Sequence, residues 1–328
     1  MSGGRSGFIP VLHAATTSRP DEIDTLAAAE AVAGALARLG YTTDIVGLGS
    51  DFGALKSLAA GRPLAVFNLV DAVNGDGRLA AFVPLLLELD GLAFTGASSN
   101  AWIRTLSKIG AKEALAHAGL PTPAWSKDGS GLRRMRVIVK PVWEHGSLGL
   151  DATSVMSASK ARRAILEWTF RWKSDHFVEA FIEGREFNVS LLDGREGVQV
   201  LPIAEILFEG FGQGQPRIVG YDAKWTPGSA AYVGTPRRFG LEGDSPELAA
   251  RLKTLALACW SLFGLSGYAR VDFRVDPKSE PFILEVNVNP CLSPDAGFAA
   301  AAAEAGLSYD AMVGRIVESS LGALRATA

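Results

Sequence analysis

The sequence is poor in the residues on which metal and redox chemistry usually rest. Its 328 residues include 2 cysteines and 4 histidines. Cys259 and Cys291 form neither a chelating pair nor a disulfide framework, so both read as free thiols in apolar surroundings. His13, His117, His145 and His176 are scattered without the spacing of a zinc site. A Gly-x-Ser-x-Gly elbow is missing and neither cysteine pairs with a histidine, which removes the common nucleophile designs. Neither sign of charge prevails: the formal net charge is -3, with 20% charged residues. The chain as a whole therefore has no electrostatic case for a nucleic-acid or anionic-membrane partner, although one basic groove over one site is compatible with that total. Long apolar runs are absent too. Residues 8–12 are far too short for a signal sequence or a membrane span, and a cytoplasmic location is expected. The glycines of residues 47–53 lack dinucleotide-binding spacing and read as a turn.

What is present is a hydrophobic fraction of 48% with 36 Gly and 16 Pro, the profile of an α/β protein rich in turns. The length suits two or three domains. Strands are expected at residues 8–12, 41–46 and 64–68, with helices at 23–39 and 52–60 between them. That β-α-β-α-β order argues for a parallel sheet covered on both faces. A helix at 79–89 and a strand at 92–95 follow, then a helix at 105–118 stopped by Gly119 and the prolines beyond it. Strands at 136–140 and 177–181 flank a glycine loop at 143–149 and a helix at 158–172. From Glu186 a mixed sheet is expected, with strands at 187–192, 197–205, 269–275 and 282–288, a long loop at 209–240 and a helix at 246–263. Helices at 296–305 and 309–324 close the chain.

The stretch from Gly267 to Pro290 is the most informative. Strand period two puts Arg270 and Asp272 on one face, with Val271, Phe273 and Val275 on the other. It also groups Glu285 with Asn287, opposite Leu284, Val286 and Val288. A short polar connection makes the two strands antiparallel neighbours. Their shared face then carries two carboxylates, an amide and a guanidinium: hard oxygen ligands that suit Mg²⁺, beside a cation able to stabilise developing negative charge. The plainer reading is a solvated outer face. Lys140 ends a strand directly before Pro141 and the glycine loop, where Gly146, Ser147 and Gly149 offer backbone N–H groups to an anion. Taken alone, that lysine is ordinary surface charge. Glu179, embedded in an apolar strand, suits ribose hydroxyls or simply faces solvent, and Lys224 sits in the long loop.

In their order along the chain these pieces resemble the ATP-grasp enzymes, and within them the D-alanine–D-alanine ligase family. The resemblance is carried by Lys140-Pro141, by Glu144 to Gly149, and by Glu179-Ala180-Phe181-Ile182 continuing to Glu186-Phe187. Tyr221-Asp222-Ala223-Lys224, Ala269-Arg270-Val271-Asp272-Phe273 and Leu284-Glu285-Val286-Asn287 complete it. The implied fold is α/β, passing to α+β in the C-terminal half, with three domains and ATP between two sheets. Residues 1–100 would be a Rossmann-like domain, 101–185 the central ATP-grasp subdomain and 186–328 the C-terminal catalytic domain.

Carried over position by position, the resemblance implies that Lys108, Lys140 and Lys224 contact phosphates while Glu144, Gly146 and Ser147 belong to a loop closing over them. Glu179, Ala180, Phe181 and Ile182 would be the adenine hinge and Glu186 a ribose contact. Asp272, Glu285 and Asn287 would hold two Mg²⁺ ions, and Arg270 would steady an acyl-phosphate and the tetrahedral intermediate formed from it. The implied activity is ATP-dependent joining of a carboxylate to an amine, both small molecules, with amino acids the expected substrates; a homodimer is suggested by analogy alone. A small-molecule kinase and a nucleotide-binding regulator are the alternatives.

Departures from the family fall on the substrate side. The glycine-rich N-terminal loop leading to a glutamate and a serine is replaced by residues 13–22, and Asn68-Leu69-Val70-Asp71 stands where the family has His-Gly. Trp225 replaces a tyrosine, Pro290-Cys291-Leu292 replaces Pro-Gly-Met, and Ala296 aligns near a serine. Arg19, Glu22, Asn289 and Asp295 are the candidate substrate contacts, with Asp295 for an ammonium and Arg19 for a carboxylate.

Overall fold

The computed structural model describes residues 7–15, 19–144 and 146–327. Three sheets organise it. The first is parallel: Ile45–Leu48, Val11–Ala14 and Phe67–Asn68 lie side by side in that order, extended by bridges Phe8–Thr42 and Val66–Phe94. This is the parallel layer that the β-α-β order predicted, although its first two strands begin three and four residues late. Pro10 lacks the N–H that would continue the ladder backwards. Helix Pro20–Arg38 also starts earlier than residue 23, with Pro20 in its first turn followed by Asp21 and Glu22. Proline and acidic side chains both favour a helix N-terminus.

The second sheet is antiparallel, ordered Trp125–Ser126, His176–Ala180, Arg136–Pro141, Val155–Ser157, and helix Ala158–Trp172 covers one face through Ala161, Ala164 and Ile165. The third is also antiparallel: Arg237–Arg238, Ala204–Ile206, Arg185–Leu192, Tyr268–Val275, Pro281–Asn287, with Gln199–Val200 attached to Arg185–Leu192. The strand expected at 197–205 is thus two pieces. The loop expected at 209–240 contains helices Tyr221–Trp225 and Ala230–Val233 and one edge strand.

The largest core lies between this third sheet and helices Pro246–Phe263, Ser99–Leu106 and Lys108–His117, where Val271, Phe273 and Ile283 are fully buried. A second core joins the first helix to the C-terminal helices Gly297–Glu304 and Tyr309–Thr327. Among the described residues, no helix is long and apolar enough to cross a membrane.

Two local irregularities shape the site. The single helix expected at 105–118 is broken at Ser107, which is extended and whose Oγ accepts from Gly110 N at 3.2 Å. The new helix begins at Lys108, whose own N–H donates to Val142 O at 3.1 Å. A serine able to cap a helix competes with continuing one. The second irregularity is a bulge between Tyr268–Val275 and Pro281–Asn287: Asp272 pairs with Glu285, yet Phe273 pairs with Ile283. Leu284 is the extra residue. It borders the cleft beside Glu285, and Ile283 takes the core position, correcting the simple alternation that put Leu284 on the core face.

Candidate active site

The strands Tyr268–Val275 and Pro281–Asn287 pair as the sequence indicated, with Arg270 opposite Asn287 and Asp272 opposite Glu285. Arg270 grips Asp272 in a bidentate pair, Nε to Oδ1 at 2.7 Å and Nη2 to Oδ2 at 2.9 Å, and Asn188 Nδ2 donates to the same Oδ1 at 2.8 Å. Asn287 Oδ1 accepts from Asn289 N at 3.1 Å. Period two also brings Arg274 to this face, a residue the sequence reading passed over. It is buried, pairs with Glu186 Oε2 at 3.0 Å, donates to the Gly184 and Arg217 carbonyls, and lies over the rings of Phe181 and Phe208.

Across a narrow cleft of about 80 Å³, the second sheet contributes Lys140 and the segment from Glu179 to Ile182. Glu179 is 1% exposed and its two oxygens each meet an ammonium at 2.6 Å, Lys140 at Oε1 and Lys112 at Oε2. Burial by itself would raise this carboxyl; the two lysines outweigh it and hold the group below the usual glutamate range. The isolated reading of Glu179 as a ribose contact therefore gives way to a clamp, because both oxygens are already committed to cations. Lys112 was missed. Its signal was available, since it follows Lys108 by four residues on one helix and so shares a face with it. The N–H groups of Ala180 and Phe181 donate to the carbonyls of Ala124 and Arg136, so this backbone segment is anchored to its own sheet.

Lys108 and Lys224 complete the cationic rim. Lys108 is buried and donates to Glu144 O. Burial lowers its basicity, opposed by Glu285 and assisted by Lys140. Lys224, on the short helix Tyr221–Trp225, is lowered by burial and then by Arg270. Burial raises the carboxyls of Glu186 and Glu144 against the pull of Arg274 and Lys108 respectively.

The glycine loop is clasped to the lysine-bearing segment. Trp225 Nε1 donates to Gly146 O at 2.7 Å and Ser147 Oγ to Val219 O at 2.8 Å. Gly146 and Ser147 are both left-handed, with φ of 66° and 63°. For Ser147 that conformation costs about 1–2 kcal/mol, which the hydroxyl bond to Val219 offsets. At Gly220 a side chain is excluded outright, since a Cβ would stand 2.8 Å from Leu150 O. His145, counted with this loop in the sequence, lies outside the described residues, as do Thr16, Thr17 and Ser18 of the N-terminal loop.

A second, larger cavity of about 220 Å³ adjoins the first, with Glu186, Lys224 and Asp272 bordering both. Arg270, Asn287, Asn289, Asp295, Asp24, Asp71 and Cys291 border it as well. The four candidate substrate residues fare differently. Arg19 is engaged by Asp21 at 2.9 Å and Glu22 at 3.5 Å, and both Arg19 and Glu22 face a separate recess of about 40 Å³. Asn289 is a tie rather than an open contact: its Oδ1 accepts from the Tyr268 hydroxyl at 2.6 Å and its Nδ2 donates to Val70 O at 3.1 Å. Only Asp295 borders the cavity with its carboxylate exposed.

This geometry now meets the comparisons with known proteins. Residues 129–318 match the family model described as D-ala D-ala ligase C-terminus. The chain belongs to the D-alanine–D-alanine ligase family. Among relatives, the D-alanine–D-alanine ligase of Acidiphilium cryptum is 30% identical over 90% of this chain and 93% of its own length. An uncharacterized protein of Sinorhizobium fredii, y4sG, is 33% identical over 77% of this chain and 73% of its own. The fold agrees as well: a crystal structure of the D-alanine–D-alanine ligase from Bacillus anthracis covers 98% of this chain and 99% of that one, with a TM-score of 0.78 at 22% identity. A second structure of that ligase, complexed with ATP, gives a TM-score of 0.76. The ATP-grasp fold expected from the motifs is therefore present.

Proposed function

We propose that the protein is an ATP- and Mg²⁺-dependent ligase that joins the carboxylate of one small molecule to the amine of another through an acyl-phosphate, with substrates that differ from a pair of D-alanines. The observation that carries this reading is the register that sets Arg270 and Asp272 opposite Asn287 and Glu285, at the junction of a cation-rimmed cleft and a separate cavity. A nucleotide binder has use for the cleft alone; a ligase needs both compartments and a cation between them. The division at residues 1–100, 101–185 and 186–328 belongs to the same reading, each unit centred on one sheet.

Lys108, Lys140 and Lys224 supply positive charge for a polyphosphate, and the Gly146–Ser147 turn lies over it. The donor set Asp272, Glu285 and Asn287 consists of hard oxygens, which fits Mg²⁺. Among the described residues no group of three or more His, Cys, Asp or Glu side chains gathers into a cage, so phosphate oxygens would complete the shell. Bound there, Mg²⁺ would neutralise charge on the phosphoryl group in transfer. The chain's own part is clear in outline. Arg270 stabilises negative charge on the acyl oxygen, Asp272 and Asn188 hold that guanidinium in place, and the clasp of Trp225 on Gly146 keeps water from the activated carboxylate.

The test is ADP release from ATP and Mg²⁺ with D- and L-amino acids, singly and in pairs, with products identified by mass spectrometry. A condensed product supports the ligase and names its substrates. ADP release with a phosphorylated substrate and no condensation would replace the ligase by a kinase. Nucleotide binding without turnover on any panel member would favour a regulatory protein.

A further inference from the structure

The larger cavity contains a carboxylate that the site as described does not use. Asp71 follows the strand Phe67–Asn68, at the carboxyl end of the parallel sheet, where open α/β sheets bind ligands. Its loop is rigidly held. Asn68 Oδ1 accepts from Val70 N at 3.1 Å, Val70 O accepts from Asn289 Nδ2 at 3.1 Å, and Leu69 and Val70 are buried. The Asp71 side chain is left facing the space where the 220 Å³ cavity and the small recess beside Arg19 meet, and it borders both.

Four of the other acidic groups around that space already have partners. Asp21 takes Arg19 and the Tyr221 hydroxyl at 2.9 Å, Glu22 takes Arg19, Asp24 takes the Cys291 thiol at 2.9 Å, and Asp272 takes Arg270. Among the described residues Asp71 forms no ion pair and no side-chain hydrogen bond to another residue. A carboxylate held on a fixed loop, open to a cavity and unmatched by a protein cation, has a place for a cation from the ligand.

We propose that Asp71 binds the ammonium group of the substrate that supplies the carboxylate, and so restricts that substrate to an amino acid. The inference rests on the ligase reading for the meaning of the cavity, and it deepens that reading by naming a specificity residue.

The surroundings give this contact a pH dependence. Asp71 is exposed to the cavity, yet the protein walls around it and then the charge of Asp21 push its carboxyl up to about 6, opposed by its own backbone N–H and by Arg19 and reinforced by Glu22. The other charged groups bordering the two spaces are Asp24 on the first helix, Glu144 before the glycine loop, Lys224 and Arg237 on the long connection, and Glu186, Arg270, Asp272 and Asp295 from the third sheet and the segment after it. Affinity for an ammonium is present above that value and is lost as pH falls through about 6, where the carboxyl becomes neutral.

Calorimetric titration tests this without requiring turnover. The amino-acid panel is titrated into protein holding a non-hydrolysable ATP analogue and Mg²⁺, and each amino acid is compared with the hydroxy acid of the same shape. Wild type should bind the amino acid about tenfold to a hundredfold more tightly than the hydroxy acid. Asp71→Asn should abolish that preference and its pH dependence while nucleotide affinity and melting temperature stay as in wild type. Equal binding of both acids to wild type overturns the proposal and needs no variant. Loss of the preference in Asp295→Asn but not in Asp71→Asn moves the ammonium to the cavity mouth and also overturns it. An Asp71-dependent preference without any condensed product supports the contact while refuting the ligase. A condensed product with an indifferent Asp71→Asn does the reverse.

Discussion

The cation-rimmed cleft, proposed for the nucleotide, and the larger cavity, proposed for the substrates, share a wall but treat charge in opposite ways. In the cleft, carboxylates are answered by protein cations: Glu179 by Lys112 and Lys140, Glu186 by Arg274, Asp272 by Arg270. In the cavity, Asp24 is met by a thiol, Asp295 lies exposed, and among the described residues Asp71 meets no cation within bonding distance. A cleft whose ligand is fixed can be preorganised, with its side chains locked before the nucleotide arrives. A cavity that must recognise a zwitterion has to keep charges open, because a protein partner would occupy the place of the ligand. The same contrast explains why the family motifs are dense on one side of Arg270 and sparse on the other.

Removing Arg270 should break the link between the compartments most sharply. Arg270→Ala is expected to lower kcat about a hundredfold to a thousandfold, the scale for losing a preorganised group that stabilises an oxyanion. Nucleotide binding should persist, since Lys108, Lys140 and Lys224 remain. Single-turnover product formation alongside nucleotide titration separates the two effects. Loss of both together would mean that Arg270 organises the cleft rather than the chemistry.

Lys112→Met tests whether the cleft is truly preorganised. The change leaves Glu179, 1% exposed, with one cation in place of two. Removing one partner of a buried pair costs about 3–5 kcal/mol, and Lys140 should keep the loss near the lower figure. Urea denaturation measures it. Adding Glu179→Gln to Lys112→Met should restore part of the stability; additive losses in the double variant would show that the two side chains act independently.

How far the sequence foretold this arrangement depends on the kind of information each residue carries. Arg270, Asp272, Glu285 and Asn287 were legible because strand alternation and antiparallel pairing are local rules, and the two strands do pair with these four residues opposite one another. The fold followed from motif order. The bulge at Leu284 was not legible, since an inserted residue is decided by what the strands pack against; here Ile283 N donates to Pro121 O at 2.8 Å and Ile283 O accepts from Thr122 Oγ1 at 2.9 Å. Lys112 and Arg274 carried periodic signals that went unread. The roles of Arg19 and Asn289 were invisible in sequence, because Asp21 and Glu22 claim the first and Tyr268 and Val70 the second through contacts that only the fold creates.

The smallest effect concerns the clasp between the compartments. Trp225 stands where the family has a tyrosine, and its indole N–H donates to Gly146 O at 2.7 Å while its ring lies 3.4 Å from where a Gly146 Cβ would be. Trp225→Phe keeps most of the ring and removes the donor. A neutral hydrogen bond contributes about 1 kcal/mol net, roughly a fivefold change in the closing equilibrium of the loop. The expected signature is a KM for ATP raised by about that factor and more ADP released per product, because an opened loop admits water to the acyl-phosphate. Ser147→Ala, which removes the bond to Val219 O from the same loop, should move both quantities in the same direction. If the ratio of ADP to condensed product stays at one in both variants, the loop does not guard the intermediate, and water must be excluded by the walls of the cavity itself.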